Sequence, residues 1–349
     1  MRRAAGPASR AVRLLVWAAL LALAAAALPA GAPAAGHLRE PRPLRVLLVT
    51  AHPDDETMAC MGRFRERGWR VSIALVTNGE SGQVVQGIDA ERLSSTGDVL
   101  LERPPGPGTW VVRPPAGPRL RRIATPAALA VERRREFLRS QAVNGVTRVY
   151  FLSGLRSFEF EDSWDDGVTR WDVGSLGELL RDVGAQVRPE VVVTLNPDET
   201  WAHPQHQGLG RIVRSLHAAG AFDAAGGARP PLYGIREVGW YAESLAPQTG
   251  DVSFDRTARS PVLGTTYARC WRTATSSYVS QSSHPVWFAA RVRAGILPGY
   301  GAADVIRRLD AGDTPGLETL FARFPPDRAA MRLLPARPAV VWLSADPGG

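Results

Sequence analysis

Two short runs in this chain could do hydrolytic chemistry. The first, Ala51-His52-Pro53-Asp54-Asp55-Glu56, follows directly on the apolar stretch Arg45-Val46-Leu47-Leu48-Val49-Thr50. Carboxylates are seldom buried unless they are paired or hold a metal, so a histidine and three acids at the end of a buried strand are costly to keep. His52 and Asp55, three residues apart on a tight turn, can reach one metal ion. Asp54 does not easily share their direction and is left as a base towards water on that metal, whose pKa zinc draws to ~7. Taken alone, the hexapeptide reads equally as an acidic turn that caps the next helix, with Asp54 or Asp55 at the N-cap.

The second run, His203-Pro204-Gln205-His206, shifts that balance. It also lies beyond the carboxyl end of an apolar strand, where open α/β sheets gather their functional groups. One histidine of the pair could bind the metal while the other faces the substrate. Of the remaining four, His37 lies in the lead-in to the first strand, and His217 and His284 stand alone and read as structural.

These turns need a frame, and the apolar pattern supplies one. Leu44–Thr50 is a continuous apolar run suited to a central parallel strand. Glu56–Arg67 is expected as a helix that buries Met58, Cys60, Met61 and Phe64 and ends at Gly68. Val71–Thr77 is the next strand, closed by the turn Asn78-Gly79-Glu80-Ser81-Gly82, which completes a βαβ unit. Prolines at 104, 105, 107, 114 and 115 exclude regular helix from an insertion loop over residues 83–125, a length that marks a functional or disordered segment. Further along, Pro126–Val143 reads as helix, Val146–Leu152 as strand, Gly174–Val183 as helix and Glu190–Leu195 as strand. A polar loop to Gln207, a helix to Ala218 and a strand over Leu232–Trp240 follow. Five apolar strands alternating with helices give an α/β fold, a Rossmann-like mainly parallel sheet with flanking helices. A small C-terminal extension over 291–349, with helical patches such as Ala302–Leu309, is expected to form a cap on the main domain, itself placed at 36–290. The first strand leads into His-Pro-Asp-Asp and not into G-x-G-x-x-G, which argues against dinucleotide binding.

The first 35 residues read as a targeting segment. Arg2, Arg3, Arg10 and Arg13 precede an uninterrupted apolar run from Leu14 to Leu28, 15 residues long, followed by Ala32-Pro33-Ala34 as a cleavage site. A signal peptide is expected, with an uncleaved anchor as the alternative and the only route to a membrane. Either places the rest of the chain in the periplasm, outside the cell or on its surface. Removing the four arginines lowers the formal charge of +8 to +4, and no basic run is interleaved with aromatics, so no nucleic-acid partner is indicated. Every one of the 42 basic residues is arginine, which with the Ala, Gly and Pro content reads as GC-rich coding. Cys60 and Cys270 could pair in an oxidising compartment, but two free, buried thiols are the expectation, because Cys60 falls on the apolar face of the first helix.

In order along the chain, these motifs resemble those of the LmbE-like or PIG-L deacetylases, metal-dependent hydrolases acting on N-acetylglucosamine-type substrates. Ala51-His52-Pro53-Asp54-Asp55-Glu56 matches that family's A-H-P-D-D-E, and Thr77-Asn78-Gly79-Glu80-Ser81-Gly82 is similar to its T-D-G-E-x-G. Arg133-Arg134-Arg135-Glu136-Phe137 with Asn144-Gly145-Val146 resembles its R-x-x-E helix and L-G-V turn. His203-Pro204-Gln205-His206 resembles H-P-D-H, and Ser280-Gln281 a late S-Q element; the resemblance covers roughly residues 44–285. It implies His52, Asp55 and His206 as metal ligands and Asp54 as the general base. His203 would stabilise the oxyanion and protonate the leaving amine. Glu56 would support the ligand turn, and Arg133 and Glu136 would shape the substrate side. The ion would be zinc, or another divalent ion such as iron(II).

Two residues depart from the pattern. Gln205 stands where the family has Asp, which would leave His203 without a neighbouring carboxylate and lower its pKa. Asn78 replaces another Asp and removes a charge near the site. The expected activity is a zinc-dependent N-deacetylase that releases acetate from an N-acetylated amino sugar or glycoconjugate. The alternatives are an amidase on larger amide conjugates and a non-catalytic carbohydrate-binding protein of the same fold. Trp110, Trp164, Trp171 and Trp201 could stack on sugar rings, or serve as ordinary packing anchors.

Overall fold

The structure is a computed structural model that describes residues 42–80, 126–154, 159–163, 166–200, 202–224, 227–237, 249–278, 280, 303–310 and 316–343. All the elements below belong to the compact unit Pro43–Gly349. The strands are β1 (Arg45–Thr50), β2 (Arg70–Leu75), β3 (Arg148–Phe151), β4 (Val191–Leu195), β5 (Leu232–Ile235), β6 (Asp251–Asp255), β7 (Ala303–Arg308) and β8 (Ala339–Trp342). The helices are α1 (Met61–Glu66), α2 (Pro126–Asn144), α3 (Val173–Val187), α4 (Pro204–Ala218), α5 (Tyr267–Thr275), α6 (Leu317–Arg323) and α7 (Arg328–Arg332). None of the described helices is long and apolar enough to cross a membrane. The expected segment over 1–35 and the loop over 83–125 lie outside the described residues.

One sheet holds all eight strands in the order β6-β7-β5-β4-β1-β2-β3-β8. Parallel pairing runs from β5 through β4, β1, β2 and β3 to β8, and β7 pairs antiparallel with both β5 and β6. The chain first builds outward from β1 through β2 and β3, then returns to lay β4 on the other side of β1. Such a reversal leaves a crevice at the carboxyl ends of the two strands that flank it. Here those ends are Thr50 and Leu195, and the register Val46↔Val191 to Leu48↔Val193 brings the turns that follow them side by side.

The apolar runs explain this placement. Val46, Leu47, Leu48 and Val49 are completely buried, as are Val191, Val192 and Val193, which fits strands covered on both faces. Each such side chain contributes roughly 1.5–3 kcal/mol of burial, enough to hold the polar turns beyond. Gly210 in α4 lets that helix close on the end of β4, because a Cβ there would sit 2.4 Å from the Leu195 carbonyl oxygen.

Several boundaries and one element differ from expectation. The helix expected over Glu56–Arg67 is broken: a 3-10 turn over Asp55–Met58 is separated from α1 by extended backbone at Ala59. α4 begins at Pro204, three residues before the expected Gln207, because proline is well suited to the first helical position. Ala303–Arg308 forms strand where a helical patch was expected, and with β8 it makes the tail beyond residue 290 part of the main sheet. Cys60 is free and buried; Cys270 is free but only half-buried.

Candidate metal centre

Three acceptor atoms meet where the β1 and β4 turns face each other. Asp55 Oδ2 accepts the backbone N–H groups of Ala51 at 2.9 Å and His52 at 2.7 Å, which folds the turn back on itself. This leaves Asp55 Oδ1 directed inward, 3.0 Å from His206 Nε2 and 3.7 Å from His52 Nδ1. The two imidazole nitrogens are themselves 2.9 Å apart. All three side chains are buried.

The outer nitrogens decide which lone pairs point inward. The Gln205 side-chain amide nitrogen donates to the carbonyls of Glu161 at 2.7 Å and Gly167 at 2.9 Å, so its oxygen is the atom 2.7 Å from His52 Nε2. That oxygen only accepts, so His52 Nε2 carries a proton and Nδ1 presents its lone pair to the centre. His206 Nδ1 donates to the Glu237 carboxylate, which leaves Nε2 as its inward lone pair. Two imidazole lone pairs and one carboxylate oxygen on a single point fit the nitrogen and oxygen donor set of a divalent cation.

The electrostatics favour positive charge at this point. Burial disfavours a proton on His206, yet Asp55 and Glu237 outweigh it and raise the pKa to about 10. Burial likewise opposes a charged His52, and Asp162 and Asp55 overcome it. Burial would raise Asp55, but the two histidines hold it well below the usual carboxylate range.

His203 plays a different part. Its ring lies 4.6 Å from that of His52 and 5.0 Å from that of His206, so proximity alone groups the three imidazoles as possible ligands. However, His203 is the N-cap of α4, and its Nδ1 accepts the Gln205 backbone N–H at 3.1 Å. The neutral ring therefore carries its proton on Nε2 and is built to donate. Burial, then His52 and His206, push its pKa down to about 2.

Asp54 adopts φ 138° and ψ −17°, a conformation that L-residues rarely occupy. Its carboxylate lies 3.7 Å from the Arg133 guanidinium. Burial, opposed by Arg133, lifts the Asp54 pKa to about 8. Arg133 donates to the carbonyls of Gly79 at 2.8 Å and Pro53 at 3.3 Å and lies 3.8 Å from Asp162. Gly79 makes this possible: it sits at φ +68°, and a Cβ there would meet the guanidinium at 2.1 Å.

The remaining expected residues support the site without joining the donors. Glu56 accepts from Tyr278 and from Ser140 at 3.0 Å, tying the 3-10 turn to α2 and to the end of α5. Glu136 accepts the Ser280 backbone N–H at 2.7 Å and its hydroxyl, so it anchors Ser280. Asn78 donates to the Gly154 carbonyl at 2.8 Å and accepts from Arg134, and a carboxylate could not make the first of these bonds. Gln205 does not place its side chain beside His203, as the pKa argument from sequence required; it faces His52. His217 is structural, bonded to the Pro230 carbonyl at 2.7 Å. Trp171 donates to the Glu161 carbonyl at 2.9 Å and packs on Phe160, an anchoring role; Trp110, Trp164 and Trp201 lie outside the described residues, as do His37, His284 and Gln281.

Two residues at the centre were not singled out from sequence. Asp162 reaches His52 Nε2 at 3.2 Å from a loop without periodicity or motif. Glu237 closes the His206 side from just beyond β5. An acid past the carboxyl end of an apolar strand was a usable signal for Glu237; none existed for Asp162.

Residues 47–217 match the PIG-L family model, described as GlcNAc-PI de-N-acetylase. A 1D-myo-inositol 2-acetamido-2-deoxy-alpha-D-glucopyranoside deacetylase from Streptomyces scabiei is 31% identical over 212 residues, 56% of this chain and 55% of that protein. The chain spans about half the length of the curated relatives it matches. Among solved structures, an N,N'-diacetylchitobiose deacetylase from Pyrococcus horikoshii aligns over 78% of this chain and 88% of its own, at 16% identity and a TM-score of 0.44. A 4-carboxy-2-hydroxymuconate hydratase from Pseudomonas putida aligns over 78% of this chain and 98% of its own, also at 16% identity and a TM-score of 0.44. With both the His52–Asp55 and His203–His206 turns inside the matched segment, residues 47–217 of this chain belong to the PIG-L (LmbE-like) family.

Proposed function

We propose that the protein is a metal-dependent hydrolase that removes the acetyl group from a 2-acetamido sugar or its conjugate. The observation that carries this reading is the convergence of His52 Nδ1, Asp55 Oδ1 and His206 Nε2 on one point, beside a strained aspartate. These three residues would hold the ion. When bound, a zinc-class cation supplies Lewis-acid polarisation of the amide carbonyl.

The chain's own groups do the rest. Asp54 takes the proton of the attacking water, a role suited to a carboxylate whose affinity for protons burial has raised. His203, neutral and protonated on Nε2, donates a hydrogen bond to the oxygen on which charge develops. A ring this hard to protonate serves as a donor and not as an acid, so the proton that reaches the leaving amine is the one Asp54 has just accepted. Arg133 bridges Asp54 and Asp162 and restrains both carboxylates beside the histidines. The acetamido-sugar substrate class is supported by the matching family and by the printed name of the Streptomyces relative. The N-terminal basic and apolar segment supports an exported site of action.

The test is release of acid by the zinc-loaded protein from a panel of N-acylated amino sugars, with Asp54→Ala as control. Acetate from 2-acetamido sugars, absent with Asp54→Ala, is expected. Release of only longer acids would replace the deacetylase reading with an amidase. No release from any member by the folded, metal-loaded protein would overturn the enzymatic reading.

A further inference from the structure

The two histidines proposed to hold the metal are braced differently on their outer sides. His206 has one carboxylate, Glu237, supplied from the end of the neighbouring strand β5. His52 has two partners on Nε2: the Gln205 amide oxygen at 2.7 Å and Asp162 Oδ1 at 3.2 Å. Gln205 comes from the first turn of α4, whereas Asp162 comes from the separate loop over 159–163.

That loop is itself held in place by Gln205. The amide nitrogen donates to the carbonyls of Glu161 and Gly167, one beside Asp162 and the other five residues further on. Glu80 accepts the Asp162 backbone N–H at 2.7 Å, and Trp171 donates to the same Glu161 carbonyl at 2.9 Å. One side chain therefore touches His52 with its oxygen and fixes, with its nitrogen, the loop that brings a carboxylate to the same imidazole nitrogen. Only an amide can do both, because a carboxylate at 205 would turn an oxygen towards two carbonyl oxygens.

We infer that Gln205 and Asp162 act as one positioning pair for His52, in which Asp162 supplies the negative charge and Gln205 supplies the clamp that delivers it. The inference rests on the metal site of the proposed function and deepens it. Partners of this kind raise the basicity of a ligating imidazole and fix its orientation, and their loss typically weakens metal binding 10–100-fold.

The experiment measures zinc dissociation constants by chelator competition, together with the visible spectrum of the cobalt-substituted protein and thermal unfolding of the metal-free form. Asp162→Asn, isosteric but uncharged, is expected to weaken zinc binding roughly 10–100-fold, with the metal-free protein still unfolding as one folded species. Gln205→Leu, which removes the clamp and leaves the Asp162 carboxylate in the chain, is expected to weaken zinc binding to a similar extent, and its combination with Asp162→Asn to lose little more than either change alone. Asp166→Asn, at a half-buried position in the same stretch whose carboxylate pairs with Arg170 and not with His52, should bind zinc as the unaltered protein does. Unchanged affinity and an unchanged cobalt spectrum in Asp162→Asn would overturn the pair, as would losses from Asp162→Asn and Gln205→Leu that simply add in the double variant. Failure of the unaltered protein to bind zinc would instead remove the metal site itself, which keeps the two failures apart.

Discussion

Replacing Asp54 by glycine should make the protein more stable and inactive at once. Asp54 holds φ 138° and ψ −17°, where the Cβ of any L-residue crowds the backbone; such strain costs about 1–3 kcal/mol. Glycine occupies this conformation freely but adds roughly 0.4–1 kcal/mol of chain entropy in the unfolded state. The net gain from the backbone alone is therefore about 1 kcal/mol. Asp54→Ala provides the comparison, because it removes the carboxylate and keeps the Cβ. Denaturant unfolding of both variants, with and without zinc, is expected to place Asp54→Gly above Asp54→Ala by about 1 kcal/mol. Both should lose at least about a hundredfold in hydrolysis, the lower range for removing a general base. An Asp54→Ala protein as stable as Asp54→Gly would refute the strain argument. Substantial activity in either would refute the base assignment.

Other perturbations test neighbouring parts of the account. Gly79→Ala should destabilise by roughly 2–3 kcal/mol and reduce activity, since it strains a φ of +68° and drives Arg133 from its carbonyl partners; an unfolding midpoint within error of the original protein would contradict this. Glu237→Gln should weaken zinc binding about 10–100-fold by removing the charge behind His206, a change that chelator competition reads directly. Glu136 is buried and raised from 4.5 to about 7, by burial against its bonds from Ser280. Its folded-state pKa lies above its unfolded one, so the native state binds the extra proton between these values. The contribution is intact below about pH 4.5 and lost as pH rises to about 7. Glu136→Gln should accordingly gain about 3 kcal/mol relative to the original protein between pH 4 and pH 8, measured by denaturant unfolding; a pH-independent difference would contradict the burial argument.

How far the sequence reached follows from which forces are local. β1 and β4 were readable because strands buried on both faces are continuous apolar runs, and the rule that polar groups gather at strand ends then pointed to the His52 and His203 turns. The early start of α4 was missed because the polar run up to Gln207 reads as loop, although Pro204 is a good first helical residue. β7 was read as helix because its strand character comes from pairing with β5 and β6, far away along the chain, and not from its own composition. Asp162 was invisible for a similar reason: nothing in its neighbours marks it, and only the fold brings it to His52. The direction of Gln205 depended on the same loop, so its effect on His203 could not be judged from the turn alone.

The central claim is that His52, Asp55 and His206 hold an ion that enables this chain to hydrolyse an acetamide. The most direct measurement is acetate release from a 2-acetamido sugar conjugate by the same preparation in three states: as isolated, after chelation and after zinc is restored. The account predicts that acetate and free amine appear in equal amounts, disappear on chelation and return with zinc. Chelator-insensitive hydrolysis, or no acetate from the zinc-restored and folded protein, would contradict it.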